Sequence, residues 1–573
     1  MCRGSVEINA PMHAIPWLDG LVILVYFAVI VSIGLYKGRG DKTMRGFAIG
    51  DRNIPWWAVL ASILAAETSA ATFLGAPGEG YEYRNYFYAQ LAIGTIIARL
   101  LVSIIFIKPY YDYRVISIYD FLRVRFGEPT KNGASVVFLI TRALASGSRL
   151  YVAAIVLVLG WQNLYGVKLT QNQEVWIYVG ALLFLTVFTA IYTALGGIKA
   201  VVWTDLIQAT LMFSALGFAI YSLLHLIPGG WATVVQRTHA IIVDPADIKT
   251  DGLVVAVQKA TDTASHALKF WNTGIKHGAS FGMNVRNILE SEYTVWAAFI
   301  ASTFTTMATH GTDQDMVQRM LTAKNYVRSR VSLVLSGLAD LPLNFCFLIV
   351  GILLWAFYMT PGKENPFAYY IVNQLPPGVR GLLVAGLFAT AMGSLSTALN
   401  ALATSFTEDW YIPYINPGAT PERVVRAARI STVFFSIILV VIGGCTAYAV
   451  LVLPGLRVIP IVLGIFGYTY GSLLGVFLTG MLTRTRGNNT GNVIAMVCGF
   501  IAVAILSGLH NTIWILLHHG NATAVLWKPA WLPEIAFPWR IAFGSVITFF
   551  IAILFPTPQS QQELARAHVA NAS

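Results

Sequence analysis

The stretch Ile63-Leu-Ala-Ala-Glu-Thr-Ser-Ala-Ala-Thr-Phe-Leu-Gly-Ala-Pro77 places the carboxyl group of Glu67 inside an apolar segment, 58–77. A charge at membrane depth costs about 2.5–3.5 kcal/mol on insertion scales, so it usually marks an ion or substrate pathway. Small and hydroxylated residues surround Glu67. A break in the helix is predicted at Gly75, Pro77, Gly78 and Gly80. Because interrupted helices expose backbone groups to ligands in secondary transporters, the stretch predicts a protein of that class.

The composition indicates that most of the chain lies in a membrane. Its 573 residues are 56% hydrophobic and only 11% charged, and the mean hydropathy is +0.65. These values exceed what a soluble core absorbs. Since about 20 apolar residues cross a bilayer core of about 30 Å, we predict an all-α integral membrane protein with thirteen transmembrane helices. The predicted spans are 17–36, 55–77, 86–107, 135–161, 176–195, 201–227, 293–309, 331–357, 381–406, 430–450, 458–482, 492–517 and 541–555.

The charge distribution predicts the orientation. Lysine and arginine in the short loops concentrate on one side, which places the N-terminus outside and the C-terminus in the cytoplasm of a plasma or inner membrane. The same bias accounts for the net charge of +11, so we expect a lipid bilayer and no nucleic acid as partner. The first span is predicted to be a retained helix. Neither a metal motif nor a disulfide framework is indicated by the spacing of Cys2, Cys346, Cys445 and Cys498.

The order of the spans predicts an inverted repeat of five plus five helices. Each five-helix group opens with a polar, interrupted span, 65–70 in the first and 302–313 in the second, so the first and sixth core helices are predicted to be discontinuous. Such a pair points to a binding site near the middle of the membrane. The alternative is that small residues merely form helix-packing faces. The predicted divisions are an outer N-terminus with an accessory helix (1–54), the first repeat (55–227), an extracellular loop (228–289), the second repeat (290–482), and two accessory helices with a cytoplasmic tail (483–573).

Six charged residues remain within the predicted spans: Arg99, Arg142, Arg149, Glu67, Asp205 and Asp340. Arg142 and Arg149 are seven residues apart and share one helix face. A guanidinium binds a carboxylate with two hydrogen bonds, so Arg149 is the candidate ligand for an anionic substrate. The alternative is that each arginine pairs with an acid of the same set, or that Arg142 extends to the cytoplasmic interface.

Two further features suit a cation site. Asp205 opens a span, where it either stabilises the helix N-terminus or binds sodium. The span 381–406 is rich in serine and threonine, whose hydroxyls offer oxygen ligands for sodium but also bond to their own backbone.

Four stretches resemble the sodium/solute symporter family, which includes sodium–glucose, proline and sialic acid transporters. The resemblance extends over about 17–555. The four stretches are Pro55-Trp-Trp-Ala-Val-Leu-Ala-Ser62, Ala194-Leu-Gly-Gly-Ile-Lys-Ala-Val-Val-Trp-Thr-Asp-Leu-Ile-Gln208, Gly311-Thr-Asp-Gln-Asp-Met-Val-Gln-Arg319 and the helix 393–409. The resemblance implies the five-plus-five core and a sodium site between its first and eighth helices.

The resemblance implies particular sodium ligands. They are the carbonyl oxygens of Ala65, Thr68 and Thr390 and the hydroxyl of Ser394. Gly393 stands where the family has a second hydroxyl, which removes one ligand, while Asp205 matches the family's acidic position.

The resemblance also implies a set of substrate ligands. Gln90 and Arg149 match pocket positions of the sialic acid transporters, and Ser69 and Thr72 line the first core helix. Glu67 falls where the proline transporters have an aspartate. Thr306 and Thr309 belong to the second interrupted helix, and Thr309 replaces the tyrosine gate of the sugar transporters, which argues against a sugar-stacking pocket.

The sequence therefore predicts a sodium-coupled symporter that imports a small carboxylate-bearing solute, such as an organic acid, an acidic sugar or an amino acid. A carrier of neutral sugars or polyols is the alternative, and it would make Glu67 and Arg149 an internal ion pair. An enzyme is not predicted, because His310 stands alone and His518-His519 falls in a short outer loop. A sensor lacks a signalling domain, and a channel lacks a pore-loop signature.

Overall fold

The computed structural model describes residues 17–38, 43–165, 170–363, 365–452, 458–517, 527, 529 and 531–572. Residues 1–16, which include Cys2, and the pair His518-His519 lie outside the described residues. The described part of the chain folds into helices, with two isolated β-bridges and no β-strand. The predicted all-helical class is therefore confirmed.

The helices of the first half extend from α1 to α13. Their bounds are α1 Trp17–Lys37, α2 Met44–Ile49, α3 Trp56–Glu67, α4 Ala70–Tyr83, α5 Leu91–Ile105, α6 Ile107–Asp112, α7 Tyr119–Phe126, α8 Glu128–Tyr165, α9 Gln171–Leu226, α10 Gly230–Thr238, α11 Pro245–Asp251, α12 Leu253–Ser265 and α13 Phe281–Glu290.

The second half begins with a π-helical turn, Ala297–Ala301, and contains a second one, Thr407–Ile415. Its α-helices are α14 Ser302–Gly311, α15 Gln314–Met320, α16 Tyr326–Tyr358, α17 Pro366–Gln374, α18 Val379–Phe406, α19 Pro421–Val452, α20 Val458–Leu482, α21 Asn489–Leu506, α22 Leu509–Leu517, α23 Phe537–Ala552 and α24 Gln559–Ala572.

By length and composition, nine helices of the described part can cross a membrane, or ten when the bent pair α3–α4 counts as one span. The protein is thus a multi-pass membrane protein, while the count of thirteen stays a prediction. The predicted spans 176–195 and 201–227 form one helical run, α9, with a non-helical residue at Gly197 (φ 53°). A side chain there would lie 2.6 Å from the Phe47 carbonyl, so glycine is required.

Helix α18 lies at the centre of the described fold. It packs against α3, α8, α9 and α1, and most of its residues are buried. Buried polar residues face these neighbours. Because a buried polar group needs a partner, the contacts of α18 are where a ligand site is expected.

Candidate functional site

The first interruption lies at Thr68–Ser69, between α3 and α4, which are bent by 62°. The break predicted at Gly75–Gly80 is wrong, because α4 continues through Pro77 to Tyr83. Ser69 begins α4 by accepting a hydrogen bond from the Thr72 N–H (3.4 Å), an N-cap that competes with a continuous helix. Neighbouring helices compensate for the backbone bond that a proline removes, and α4 packs tightly on α16.

The interruption leaves the Ala65 carbonyl without its usual helical donor. In a continuous helix the Ser69 N–H would bond to Ala65, but here it donates to the Glu67 carbonyl at 3.0 Å. The Ala65 carbonyl faces Gly393 of α18 instead: a side-chain carbon on Gly393 would lie 3.5 Å from this oxygen. The structure therefore brings the end of α3 against α18, as the predicted sodium site requires.

Two more oxygens converge on the face of Gly393. The same side-chain carbon would lie 3.0 Å from Gln208 Oε1 and 3.6 Å from Asp205 Oδ1. Both atoms are buried and accept no hydrogen bond in the described structure. With the Ala65 carbonyl they form an oxygen cluster of one carboxylate, one amide and one backbone oxygen. Hard cations such as sodium prefer such oxygen sets, so these residues fit the predicted ion.

The remaining predicted sodium ligands lie nearby on α18. The Ser394 hydroxyl donates to the carbonyls of Thr390 and Ala391, both at 3.1 Å, and the Thr390 hydroxyl donates to the Leu387 carbonyl at 2.7 Å. The two predicted ligand atoms, the Ser394 hydroxyl oxygen and the Thr390 carbonyl oxygen, thus bond to each other, and each keeps a lone pair for a cation. Thr68, at the interruption itself, is buried.

Arg149 borders a narrow cavity beside the interruption. The cavity is small, with a volume of about 10 Å³. The Arg149 guanidinium stacks over the ring of Phe466, 4.9 Å from its centroid. Among the described residues, no carboxylate pairs with it. The residues that line the cavity are Ala70, Ser146, Arg149, Leu150, Ala391, Ser394 and Leu395.

The second interruption separates α14 from α15 at Thr312–Asp313, within the predicted interrupted span. Here the protein supplies its own partners: Arg142 Nη2 lies 2.6 Å from Asp313 Oδ2 and 2.7 Å from Asp315 Oδ2. The Tyr470 hydroxyl also donates to Asp313 at 2.8 Å. Arg142 is therefore buried and doubly paired. Of the two alternatives for Arg142, extension to the interface is wrong and internal ion pairing is confirmed, but the acids are Asp313 and Asp315. The predicted partners Glu67, Asp205 and Asp340 are wrong.

A chain of ion pairs joins the second interruption to the oxygen cluster. Arg319 lies 3.3 Å from Asp315 Oδ1 and 3.7 Å from Asp205 Oδ2, and it donates to the Ser62 carbonyl at 3.0 Å. The Ser62 hydroxyl donates to Asp205 at 2.5 Å. The other oxygen of Asp205, Oδ1, remains directed at the cluster. Asp205 is thus held by α3 and α15. It lies in the interior of α9, after the non-helical residue Gly197, so its predicted role as a charge at a helix N-terminus is wrong.

Glu67 pairs with Arg99, and its Oε1 lies 3.2 Å from His310 Nε2. Arg99 is fully buried and also donates to the Ser336 hydroxyl at 3.0 Å. The internal pair between Glu67 and Arg149, which the neutral-sugar alternative required, is therefore absent from the described residues, and the prediction that His310 stands alone is wrong. For Arg99 the alternative that an arginine within the spans pairs with an acid of the same set is therefore confirmed.

Other predicted substrate residues are occupied by protein contacts. Gln90 is fully buried: its amide donates to the Phe87 carbonyl (3.1 Å) and accepts from the Asn272 N–H of the 228–289 loop (3.2 Å). Thr309 donates to its own helix at Thr305 (3.2 Å). Together with Ser69, Thr72 and Thr306, these side chains lie outside the lining of the Arg149 cavity.

The sequence analysis missed Gln208. Its signal was the spacing, since it lies three residues after Asp205 on the same face of α9. Arg319 and Asp315 were also missed. Their four-residue spacing on α15 is a local signal for their own ion pair, but their contacts with Asp205 and Arg142 join distant segments and have no local pattern.

Comparison with known proteins decides the family. The family model described as "Sodium:solute symporter family" matches residues 47–499, well over half of the chain. The chain belongs to the sodium:solute symporter family. Membership makes the protein a sodium-coupled transporter rather than an enzyme, with sodium as the coupling ion and a small-molecule solute as the second partner. The resemblance seen in the sequence is thereby confirmed.

Curated relatives of this symporter differ in their solutes. The human sodium-coupled monocarboxylate transporter 1 is 25% identical over 87% of this chain and 74% of its own. The sodium-dependent multivitamin transporter of Oryctolagus cuniculus is 26% identical over 84% and 69%. The sodium/glucose cotransporter of Vibrio parahaemolyticus is 26% identical over 81% and 84%.

A solved structure shares the fold. A Na⁺-coupled sialic acid symporter in a substrate-bound, outward-open state superposes with a TM-score of 0.71. The alignment covers 95% of this symporter and 100% of that chain, at 20% identity.

Proposed function

We propose that this symporter uses the sodium gradient to import a small organic solute that bears a carboxylate: an organic acid, an acidic sugar or an amino acid. The observation that carries the proposal is Arg149, a guanidinium beside a cavity for which the described residues provide no carboxylate. A cation in a low-dielectric site needs a counter-charge, and a substrate carboxylate supplies one in bidentate geometry. Relatives that carry monocarboxylates support this solute class.

Sodium is proposed to bind at the oxygen cluster, with Ala65, Asp205 and Gln208 as ligands. Thr68, Thr390 and Ser394 extend the site toward the Arg149 cavity. The connected ion-pair network around it contains three carboxylates, of Asp205, Asp313 and Asp315, against the two guanidiniums of Arg142 and Arg319. A bound monovalent cation would balance the charge of this network.

The coupling between sodium and solute would follow from the position of the oxygen cluster between α3 and α18. Sodium would brace α3 against α18 and stabilise the outward-open state, in which a solute reaches Arg149. By linkage, sodium raises the affinity for the solute by the same factor as the solute raises the affinity for sodium. This proposal includes the inverted five-plus-five repeat, the thirteen spans and the five divisions of the chain. It also includes the orientation in the cell membrane, with the N-terminus outside and the C-terminus in the cytoplasm. In it, the two repeats rock to release both ligands inside.

The remaining predicted substrate residues require movement to take part. Glu67, Ser69, Thr72, Gln90, Thr306 and Thr309 are proposed to contact the solute only in another state of the transport cycle. Gln90 would then exchange Asn272 for the solute when the 228–289 loop moves, which is consistent with the single hydrogen bond between them (3.2 Å).

The test is uptake into proteoliposomes under an inward sodium gradient, with a potassium gradient as control. A labelled monocarboxylate is the probe, and unlabelled monocarboxylates, amino acids, acidic sugars and neutral sugars are the competitors. We expect sodium-dependent uptake that carboxylates inhibit and neutral sugars do not. Inhibition by neutral sugars alone would contradict this proposal and would indicate a sugar or polyol carrier.

A further inference from the structure

Helix α1 precedes both predicted repeats, and one of its faces is exposed. Its most exposed side chains include Trp17, Leu24 and Tyr36, each about two-thirds exposed or more. Its opposite face packs on α9 and α18. On that face Tyr26 is only 7% exposed, and its hydroxyl reaches the space behind the oxygen cluster.

The hydrogen bonds of Tyr26 have a defined direction. The hydroxyl donates to the thioether sulfur of Met392 (3.5 Å), a group that only accepts. The hydroxyl oxygen also accepts a hydrogen bond from Gln208 Nε2 at 3.4 Å, a long distance for a hydrogen bond. Tyr192, beside the same amide, likewise donates to the Met392 carbonyl (3.4 Å).

These hydrogen bonds match one orientation of the Gln208 amide. An amide can rotate to exchange its oxygen and nitrogen, and its hydrogen-bond partners decide which end points where. In the structure the nitrogen lies toward Tyr26, whose own proton is directed at Met392, and Oε1 lies toward the cluster with Ala65 and Asp205. The reversed amide would direct two N–H donors at the cation.

We propose that Tyr26 is a positioning residue that keeps the Gln208 oxygen directed at the sodium site, so that helix α1 sets the affinity for sodium. This inference rests on the proposed sodium site. In this proposal Tyr26 contacts neither sodium nor the solute and acts only through the Gln208 amide. Loss of its hydroxyl removes one of the acceptors that hold the nitrogen, and the amide then populates both orientations.

The first test is Tyr26→Phe, which keeps the ring and its packing. We expect the sodium concentration for half-maximal uptake to rise about threefold to tenfold, with the maximal rate at saturating sodium unchanged. The thermal unfolding midpoint in KCl should also be unchanged, which separates positioning from structural damage. Tyr36→Phe is the matched control, because Tyr36 lies on the same helix with 66% of its surface exposed. An unaltered sodium dependence in Tyr26→Phe would overturn the inference.

The second test combines Tyr26→Phe with Gln208→Glu. Both ends of a carboxylate are oxygens, so reversal of this side chain changes nothing at the cation. We expect Tyr26→Phe to have no further effect on the Gln208→Glu background. An equal rise on both backgrounds would show that Tyr26 acts by another route and would overturn the inference.

Asp205→Asn separates this inference from the proposed function. If Asp205→Asn weakens sodium dependence while Tyr26→Phe does not, only the positioning role fails. If neither variant changes it, the sodium site fails together with the positioning role.

Discussion

The two interruptions in the membrane-embedded helices are both polar but differ in their chemistry. At Thr312–Asp313 the protein provides the partners, since Arg142, Asp315 and Tyr470 surround Asp313. At Thr68–Ser69 the nearby oxygens of Asp205 and Gln208 have no donor in the described structure. The difference teaches that an interrupted polar helix is not in itself a ligand site. One interruption completes the protein's own ion-pair network, and the other leaves oxygens for a cation.

The largest loss of stability is expected at the Thr312–Asp313 interruption, where the protein supplies its own ion-pair partners. Arg142→Gln leaves the buried Asp313 carboxylate without its cation, which costs about 3–5 kcal/mol of folding free energy. The thermal unfolding midpoint of the purified protein should fall sharply. Arg149→Gln, seven residues along the same helix, is the control and should lower it much less. An equal fall in both variants would remove the distinction between the two regions.

Asp205→Asn is expected to abolish most of the sodium stimulation of uptake. The substitution keeps one oxygen but removes the charge that attracts the cation. The measurement is uptake as a function of sodium concentration, and the half-saturating concentration should rise more than about tenfold, which corresponds to about 1.4 kcal/mol. Sodium dependence identical to that of the original protein would refute the role of the carboxylate.

Arg149→Gln is expected to weaken carboxylate uptake selectively. A hydrogen bond to a charged group contributes about 1.5–3 kcal/mol, which corresponds to about 10-fold to about 150-fold in affinity. The readout is the solute concentration for half-maximal uptake at saturating sodium. Arg149→Lys keeps the charge without the bidentate geometry and should recover part of the loss. Full activity of Arg149→Gln would disprove the anion-binding role.

Ser394→Ala should give the smallest effect, about a fivefold rise in half-saturating sodium, since one neutral oxygen contributes about 1 kcal/mol. Ser436→Ala on α19 is the matched control, because that hydroxyl also bonds to its own helix, at Val433. A rise of the same size in the control would mean that helix distortion, not cation binding, causes the effect.

The sequence predicted which helices are interrupted and which arginine faces a cavity. It could do so because the free-energy cost of placing a residue inside the membrane depends on the residue type. It misplaced the first break at Gly75–Gly80, because the effect of Pro77 depends on how α4 packs against α16. It also missed the partners of Arg142, since Asp313 lies 171 residues away in the chain. Spacing alone could have identified Gln208 beside Asp205.

The most direct test of the sodium site is a sodium titration of the thermal unfolding midpoint for the original protein, Gly393→Ala and Gly393→Ser, at constant ionic strength with KCl. A ligand that binds only the native state raises the midpoint by mass action. A methyl group on Gly393 would lie 3.0 Å from Gln208 Oε1 and occupy the centre of the oxygen cluster. We expect a sodium-specific rise in the original protein and little or none in Gly393→Ala or Gly393→Ser, since both side chains place the same Cβ atom in the cluster. The same sodium-dependent rise in the original protein and Gly393→Ala would contradict this location of the site.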